Sequence, residues 1–474
     1  MNELNKILQN LKSSIHIQEA LELLYVLKAW EKVSINNKIE MDLTFSSFYN
    51  QKVEVKKLAT IFEKLSKKFK LFALYRFDNK LFTDDDLTTL LGIVSRMTQL
   101  PNVNEVFYNQ KGMFEFSVSP QVAQLGAALL DGCGKEVYVP FTNGFAYSYY
   151  MNKKIYADFE MPTAEFIAEL INILDDKSIE FHTTNALESP TFVNPDAPHL
   201  LKQFESVLSF PPFGIKGKID SMNDKFHRFQ FHRGLILDVA HFEHILAQTK
   251  EKAVVLMPVG FTYRAGNEEA FRRYLVEQDW LEAIIQLPPN LHSATSIETT
   301  FFIVNKTKSL KGKVYFLSLK SEEFIKREGR QIVLTNVDYI VNFIQQKKEI
   351  DGVSCIVSNE KVSTNNFSLA IDRYITSQNT LSLNKILQQY ELVPLETIAE
   401  IRKSQLFKDE GEGKEVYDLS PTDFAKSGFT MECGKTKQLG SQYERYQIYK
   451  LQPYDVLLST KGTIGKVAIV GNIT

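Results

Sequence analysis

Apolar residues recur at three- and four-residue spacing through the first hundred positions of the chain. The runs Leu4 to Leu11, Ile17 to Trp30 and Val55 to Phe72 therefore predict amphipathic helices. Further along, helix-spaced stretches alternate with short, nearly continuous apolar runs. His232 to Gln248 reads as a helix, Ala253 to Pro258 as a buried strand closed by proline, and Glu268 to Glu277 as a second helix. Leu281 to Leu287 reads as a second strand and Thr299 to Lys306 as a last one. Strands that are apolar on both faces, alternating with helices, predict an α/β sheet covered on both sides. After Tyr374 the polar run Thr376 to Thr380 marks a linker, and from Tyr390 onward the chain changes to short β-type runs, turns and charged loops.

The segment that carries candidate chemistry is Leu208-Ser209-Phe210-Pro211-Pro212-Phe213-Gly214, where an apolar strand ends in a turn. Modifying a base requires swinging it out of the duplex, and an aromatic face such as Phe213 can stack on it for about 1–3 kcal/mol. The exocyclic amine of that base then needs acceptors for its hydrogens. The Pro211 carbonyl is one candidate; the second belongs to the side chain before the prolines, and Phe210 has no acceptor. An unpaired donor in a dry pocket costs about 1–3 kcal/mol.

With a polar residue in place of Phe210, this segment would spell the tetrad of amino-group DNA methyltransferases. The downstream words VVLMPVGFTYRAGNEEAFRRYLVEQDWLEAIIQLPPNLHSATSIETTFFIVNK and FSLAIDRYI (Phe367 to Ile375) extend the match. Over roughly residues 1 to 375 the chain resembles the adenine-N6 DNA methylases, and most closely the modification subunit of type I restriction-modification systems. The resemblance implies a Rossmann-like class I methyltransferase sheet over residues 111–375, preceded by an N-terminal helical domain over residues 1–110. It also implies S-adenosylmethionine as methyl donor, bound at the first strand-to-helix turn, Val137 to Phe145. There the chain keeps Pro140, Thr142 and Gly144, but has Val139 in place of the family's acid, and Asn143 where the family has glycine.

Other landmarks are altered to different degrees. Ser119 before Pro120 retains the hydroxyl of the family's Thr-Pro. The ribose-holding acid falls on Phe159, flanked by Asp158 and Glu160, and Asn185 stands where an adenine-contacting Asp is usual. The resemblance thus makes Pro211, Pro212 and Phe213 the retained catalytic positions, with Phe210 degenerate. It makes Ser119, Pro140, Thr142, Gly144, Asp158, Glu160 and Asn185 the candidate donor-binding set. Departures at Val139, Phe159, Asn185 and Phe210 together imply a methylase-like protein whose methyl transfer is impaired or lost. An active adenine-N6 methyltransferase with unusual pocket residues, Ser209 taking the polar role among them, is the alternative, and a structural scaffold for a restriction partner is a third reading.

The words LVPLETIAEIRKSQ, YDLSPTDF and LQPYDVLLSTKGTIGKVAIV resemble the start of a target recognition domain of type I specificity subunits. The reading is a linker over 376–389 and a partial recognition domain over 390–474, expected to continue past Thr474. Gly462 and Gly465 suit a tight hairpin, and Lys461 and Lys466 are the candidate phosphate contacts.

Composition adds limits rather than chemistry. A chain of 474 residues has room for two or three domains, and a net charge of −2 supplies no global field for DNA. Double-stranded DNA as a partner, together with other restriction-modification subunits, is therefore implied by the resemblance alone. Cys133, Cys355 and Cys433 are far apart and form no redox or metal motif, as expected in a cytoplasmic protein. His241 and His244 share a helical face, but no cysteine or carboxylate set at ligand spacing joins them, so no metal site is expected. No signal peptide, long apolar span or Gly-rich phosphate loop is present, which points away from a membrane partner and from an ATP-driven motor.

Overall fold

The computed structural model describes residues 17–36, 39–98, 100–108, 118–142, 144–289, 291, 297–329, 331–376, 382–383, 386–403, 405, 407–425, 428–430, 432–460 and 465–471. The predicted helix at Leu4 to Leu11 lies outside the described residues. The chain forms two compact units, residues 1–382 and 383–474.

The first unit opens with α1 (Ile17–Asn36), α2 (Phe45–Tyr49), α3 (Val55–Ser66), α4 (Lys70–Leu74), α5 (Asp84–Arg96), α6 (Val103–Tyr108) and α7 (Pro120–Ala128). The expected single helix from Val55 to Phe72 is two helices. The chain breaks where Phe69 adopts extended backbone, which folds Phe72 back until its ring lies 5.2 Å from Phe62. Trp30, fully buried, donates its indole N–H to the Leu43 carbonyl, and Phe45, Phe48 and Phe62 surround its ring. α5 begins with a reciprocal Thr83–Asp86 capping box, and acids fill its first turn, where they favour the helix dipole.

The strands that follow are β1 (Glu136–Pro140), β2 (Lys154–Phe159), β3 (Ile179–Thr183), the hairpin β4 (Val193–Asn194) and β5 (Ala197–Leu201), β6 (Phe204–Ser209), β7 (Thr249–Pro258), β8 (Leu281–Gln286), β9 (Thr299–Asn305), β10 (Lys313–Ser318), the pair β11 (Ile325–Glu328) and β12 (Gln331–Leu334), and β13 (Ser354–Ser358). Nine of them form one mixed sheet in the order β13-β10-β8-β9-β7-β6-β1-β2-β3. β9 runs antiparallel between β7 and β8, and β13 is antiparallel at one edge. Four further helices cover the sheet: α8 (Pro162–Leu174), α9 (Asp238–Ala247), α10 (Asn267–Glu277) and α11 (Val337–Gln345).

Side chains alternate strictly between two cores. Val137, Val139, Ala157, Phe159, Leu208, Phe210, Leu256 and Phe301 face the N-terminal helices. Tyr138, Tyr156, Val207, Val255, Met257 and Phe302 face α9 and α10. This period of two under helices on both faces gives the expected Rossmann-like α/β sheet. The predicted helix from His232 is shorter and starts at Asp238, because the Glu243 carboxylate captures the amides of Gln230, Phe231 and His232. Those three N–H groups consequently have no helical carbonyl as partner.

In the second unit β14 (Lys414–Tyr417) pairs with β16 (Thr436–Leu439), and β18 (Val467–Val470) lies between β15 (Phe429–Thr430) and β17 (Val456–Leu458). Among its described residues only Leu439, Ala468 and Val470 are buried apolar side chains, whereas Tyr390, Leu392, Ile398, Tyr454, Val456 and Leu458 are all exposed.

The closing segment of the first unit is fastened by one buried cation. Arg272 on α10 donates to the carbonyls of Phe261 and Arg264 after β7, and to Phe367 in the stretch that ends the unit. Burial pulls its guanidinium down to about 10, which leaves it charged at neutral pH. Arg272→Leu strands three carbonyls at once. At about 1–3 kcal/mol each, chemical denaturation should report a loss of about 3 kcal/mol or more.

Candidate functional site

The strand order reverses direction between β1 and β6, and open α/β sheets bind ligands in the crevice outside the carboxyl ends of strands at such a switch point. The structure brings most of the candidate residues to that edge. Pro140 and Thr142 leave β1, Glu160 follows β2, Asn185 follows β3, and Phe210 to Phe213 leave β6. Asn143 lies outside the described residues.

The crevice is laced across its mouth. The Ser209 hydroxyl donates to the Pro140 carbonyl at 2.7 Å, and Thr142 Oγ1 accepts the Phe210 amide at 3.1 Å. Ser209 thereby gives its hydroxyl proton to the backbone of β1. Phe210 points into the core beneath the N-terminal helices, with only 4 % of its surface exposed. Its ring lies 6.2 Å from Phe301, and a Cβ added to Gly126 of α7 would come within 3.1 Å of it. Gly126 is the space that this ring occupies. Pro211 is buried, while Pro212 and Phe213 are half-buried.

The positions expected to hold the donor are occupied in other ways. Val139 and Phe159 are core residues, the latter stacked on Phe181 and edge-on to Phe145. Phe141 has φ of +59° and its ring lies 4.7 Å from His241. Gly144, φ +83°, supplies the left-handed turn in this loop. Ser119 caps α7 by accepting the Val122 amide, and Asn185 closes a turn by accepting the Leu187 amide. Glu160 alone presents an exposed carboxylate at the end of β2, raised by partial burial and by Glu188. β1 ends without an acid, and the one buried acid of β2, Asp158, has both oxygens engaged.

Asp158 ends a hydrogen-bond chain that local sequence reading missed. Its Oδ1 accepts from Thr191 and its Oδ2 from Tyr138. The Tyr138 hydroxyl meets His244 Nε2 at 2.9 Å, and His244 Nδ1 meets Arg228 at 2.8 Å. Arg228 also binds Asp224 and the carbonyls of Ala186 and Leu187. A guanidinium only donates, so His244 Nδ1 must accept and Nε2 must carry the proton. The chain therefore runs one way, Arg228 to His244 to Tyr138 to Asp158. Burial first, then Arg228, holds His244 well below the usual imidazole range, and burial raises Asp158 despite its two donors. The only sequence signal was a tyrosine and a histidine at positions otherwise apolar; their partners are 16 to 106 residues away.

A second polar group borders the tetrad. Asp238, at the start of α9, accepts the Gly214 amide through Oδ1 at 2.7 Å, while Oδ2 has no hydrogen-bond partner and lies 3.8 Å from Arg264. His241, one turn along, is buried with Nδ1 unpartnered; burial first, then His232, lowers it to about 3. Among the described residues no three His, Cys, Asp or Glu side chains are grouped to hold a metal. In the second unit Lys461 and Gly462 lie outside the described residues. Lys466 is exposed and its amide donates to Ser459 beside Gly465, whose φ is +86°.

Two outcomes follow. Phe210→Asn should fail to rebuild a tetrad side chain in the crevice, because position 210 faces the core. It should instead destabilise the fold by about 3–5 kcal/mol, read as a lower urea midpoint. His241 stays neutral when folded but takes a proton near pH 6.5 when unfolded. Its contribution to stability is complete above pH 6.5 and is lost as pH falls toward 3. His241→Leu should flatten part of that acid loss, measured as unfolding free energy against pH.

Residues 151–382 match the N-6 DNA methylase family. The type I restriction enzyme MpnII methylase subunit of Mycoplasma pneumoniae is 29% identical over 184 residues, 37% of this chain and 34% of that protein. The MjaVII methylase subunit of Methanocaldococcus jannaschii is 29% identical over 163 residues, 32% of this chain and 28% of that protein. The chain thus matches about a third of the length of these curated relatives. The fold is shared with the type I methyltransferase subunit of Streptococcus thermophilus, at 20% identity and TM-score 0.59, over 72% of this chain and 82% of that one. It is shared also with a modification subunit from Vibrio vulnificus, at 11% identity and TM-score 0.58, over 76% and 91%. The match to the N-6 DNA methylase family thus covers residues 151–382, and the chain is similar to methylase subunits of type I restriction enzymes.

Proposed function

We propose that this chain is a DNA-binding, methylase-like subunit of a restriction-modification system whose own methyl transfer is impaired. The observation that carries the reading is the burial of Phe210 against Gly126, with its amide held by Thr142. No side chain at that position can orient the amine of a flipped base, and lost orientation costs far more in rate than in binding. The donor side supports the same reading, since Val139 is a core residue and Asp158 is committed to Tyr138 and Thr191. The relatives are themselves subunits by name, which supports assembly with other restriction-modification chains. The proposed site residues for DNA in the second unit remain Lys461 and Lys466. Among the described residues no helix is long and apolar enough to cross a membrane.

One observation favours a second reading, in which S-adenosylmethionine still binds. Glu160 leaves an exposed carboxylate at the end of β2, the place from which the family holds the ribose. Calorimetric titration of the folded chain with S-adenosylmethionine decides between them. The expected outcome is no saturable heat up to about 1 mM, a binding free energy weaker than about −4 kcal/mol. Saturation in the micromolar range, abolished by Glu160→Gln, would overturn the impaired reading.

A further inference from the structure

Between the tetrad and α9 the chain makes a long excursion, Gly214 to Leu237, that the methylase reading leaves without a role. Its base is stitched shut. Gly217 donates to the Leu235 carbonyl at 2.8 Å, Leu237 donates to Ile215 at 3.0 Å, and Lys216 bridges to Ile236. Its inner side is anchored through Arg228, which reaches His244, and through the Glu243 carboxylate, which holds three successive amides. A structureless connection of this length within a compact unit is uncommon and usually functional. Here it is a mounted lobe rather than a loose loop.

Its outer side is cationic. The excursion holds five Lys or Arg residues against two Asp, in a chain whose net charge is −2. Arg228 and Asp224 pair with each other in the interior. That leaves Lys216, Lys218, Lys225 and Arg233 exposed, with Asp220 the only remaining acid. None of these four cations makes an ion pair among the described residues, whereas Lys52, Lys64, Lys68 and Lys154 elsewhere on the first unit's surface each pair with a carboxylate. Between them Met222, 91 % exposed, forms an apolar tip. Unpaired cations held on a rigid mount keep most of their attraction for a polyanion, because no local carboxylate must first be displaced. The lobe begins directly after Phe213, so its base stands beside the crevice.

We propose that the lobe Gly214–Leu237 is a docking surface for double-stranded DNA, with Lys216, Lys218, Lys225 and Arg233 contacting backbone phosphates. This rests on the DNA-binding reading above and adds to it a surface in the first unit, separate from Lys461 and Lys466. Phosphate contacts position a protein without reading sequence, and each one lost flattens the salt dependence of binding by about 0.9 in log–log slope.

The test is fluorescence anisotropy of the full chain with a labelled 30-base-pair duplex, titrated at several salt concentrations. The lobe variant replaces Lys216, Lys218, Lys225 and Arg233 with Ala, and the control is Lys56→Ala on α3. The expected result is a weakening of at least tenfold at low salt, a slope shallower by about 3 to 4, and an unchanged control. Circular dichroism of the lobe variant should match the parent, since none of the four side chains is buried. If the parent binds duplex and the lobe variant binds equally with the same slope, the lobe assignment fails while the DNA reading stands. If the parent binds no duplex at low salt, the DNA reading fails and the lobe with it. A variant impaired only on single-stranded RNA of the same length would also overturn the assignment.

Discussion

The first unit depends on a single buried run of hydrogen bonds, from Asp224 through Arg228, His244 and Tyr138 to Asp158. It joins four pieces of chain, namely the lobe, α9, β1 and β2. Each group in it is nearly or completely inaccessible to water, so each would be expensive to bury alone. From Arg228 to Asp158 they satisfy one another in a fixed direction, because the guanidinium only donates and the carboxyl at the far end accepts. Such networks are costly when partly satisfied and specifying when complete. This one fixes where the lobe leaves the sheet, and it also takes the acid of β2 away from the crevice.

The edge of the crevice is bound to itself. Thr142, Ser209 and the Pro140 carbonyl tie the ends of β1 and β6 to each other, and Phe210 completes the core beneath them. Each of these contacts stabilises the sheet at its switch point, where a ligand site requires polar groups left free. Among the described residues, Asp238 Oδ2 and His241 Nδ1 are buried without a hydrogen-bond partner, and both lie on α9 rather than at the tetrad's first position.

Much of the architecture was legible from periodicity. The strands at 253–258, 281–287 and 299–306 and the helix at 268–277 are within a few residues of their observed bounds, because each is apolar on a face that must be covered. The helix expected from His232 starts six residues later since Glu243 takes the amides of Gln230, Phe231 and His232 and Leu237 donates to Ile215, tertiary choices that periodicity does not encode. At the site, the departures at Val139 and Phe210 were visible as residues, but not where their side chains go. The roles of Arg228 and His244 were hidden because a hydrogen bond between an exposed-looking loop and a helix leaves no local pattern. Asp158 was read as a donor-site acid on its position alone; its orientation, set by strand alternation, turns it to Tyr138.

The contact between Phe210 and Gly126 has a historical consequence. Restoring an amide at 210 alone would leave a hole lined by Leu208, Phe301 and α7, while adding a side chain at 126 alone would collide with the ring. The two positions can change safely only as a pair, which is the signature of strong coupling between neighbours. A change at either position alone therefore passes through a less stable intermediate. Each residue holds the other in place as the sequence varies.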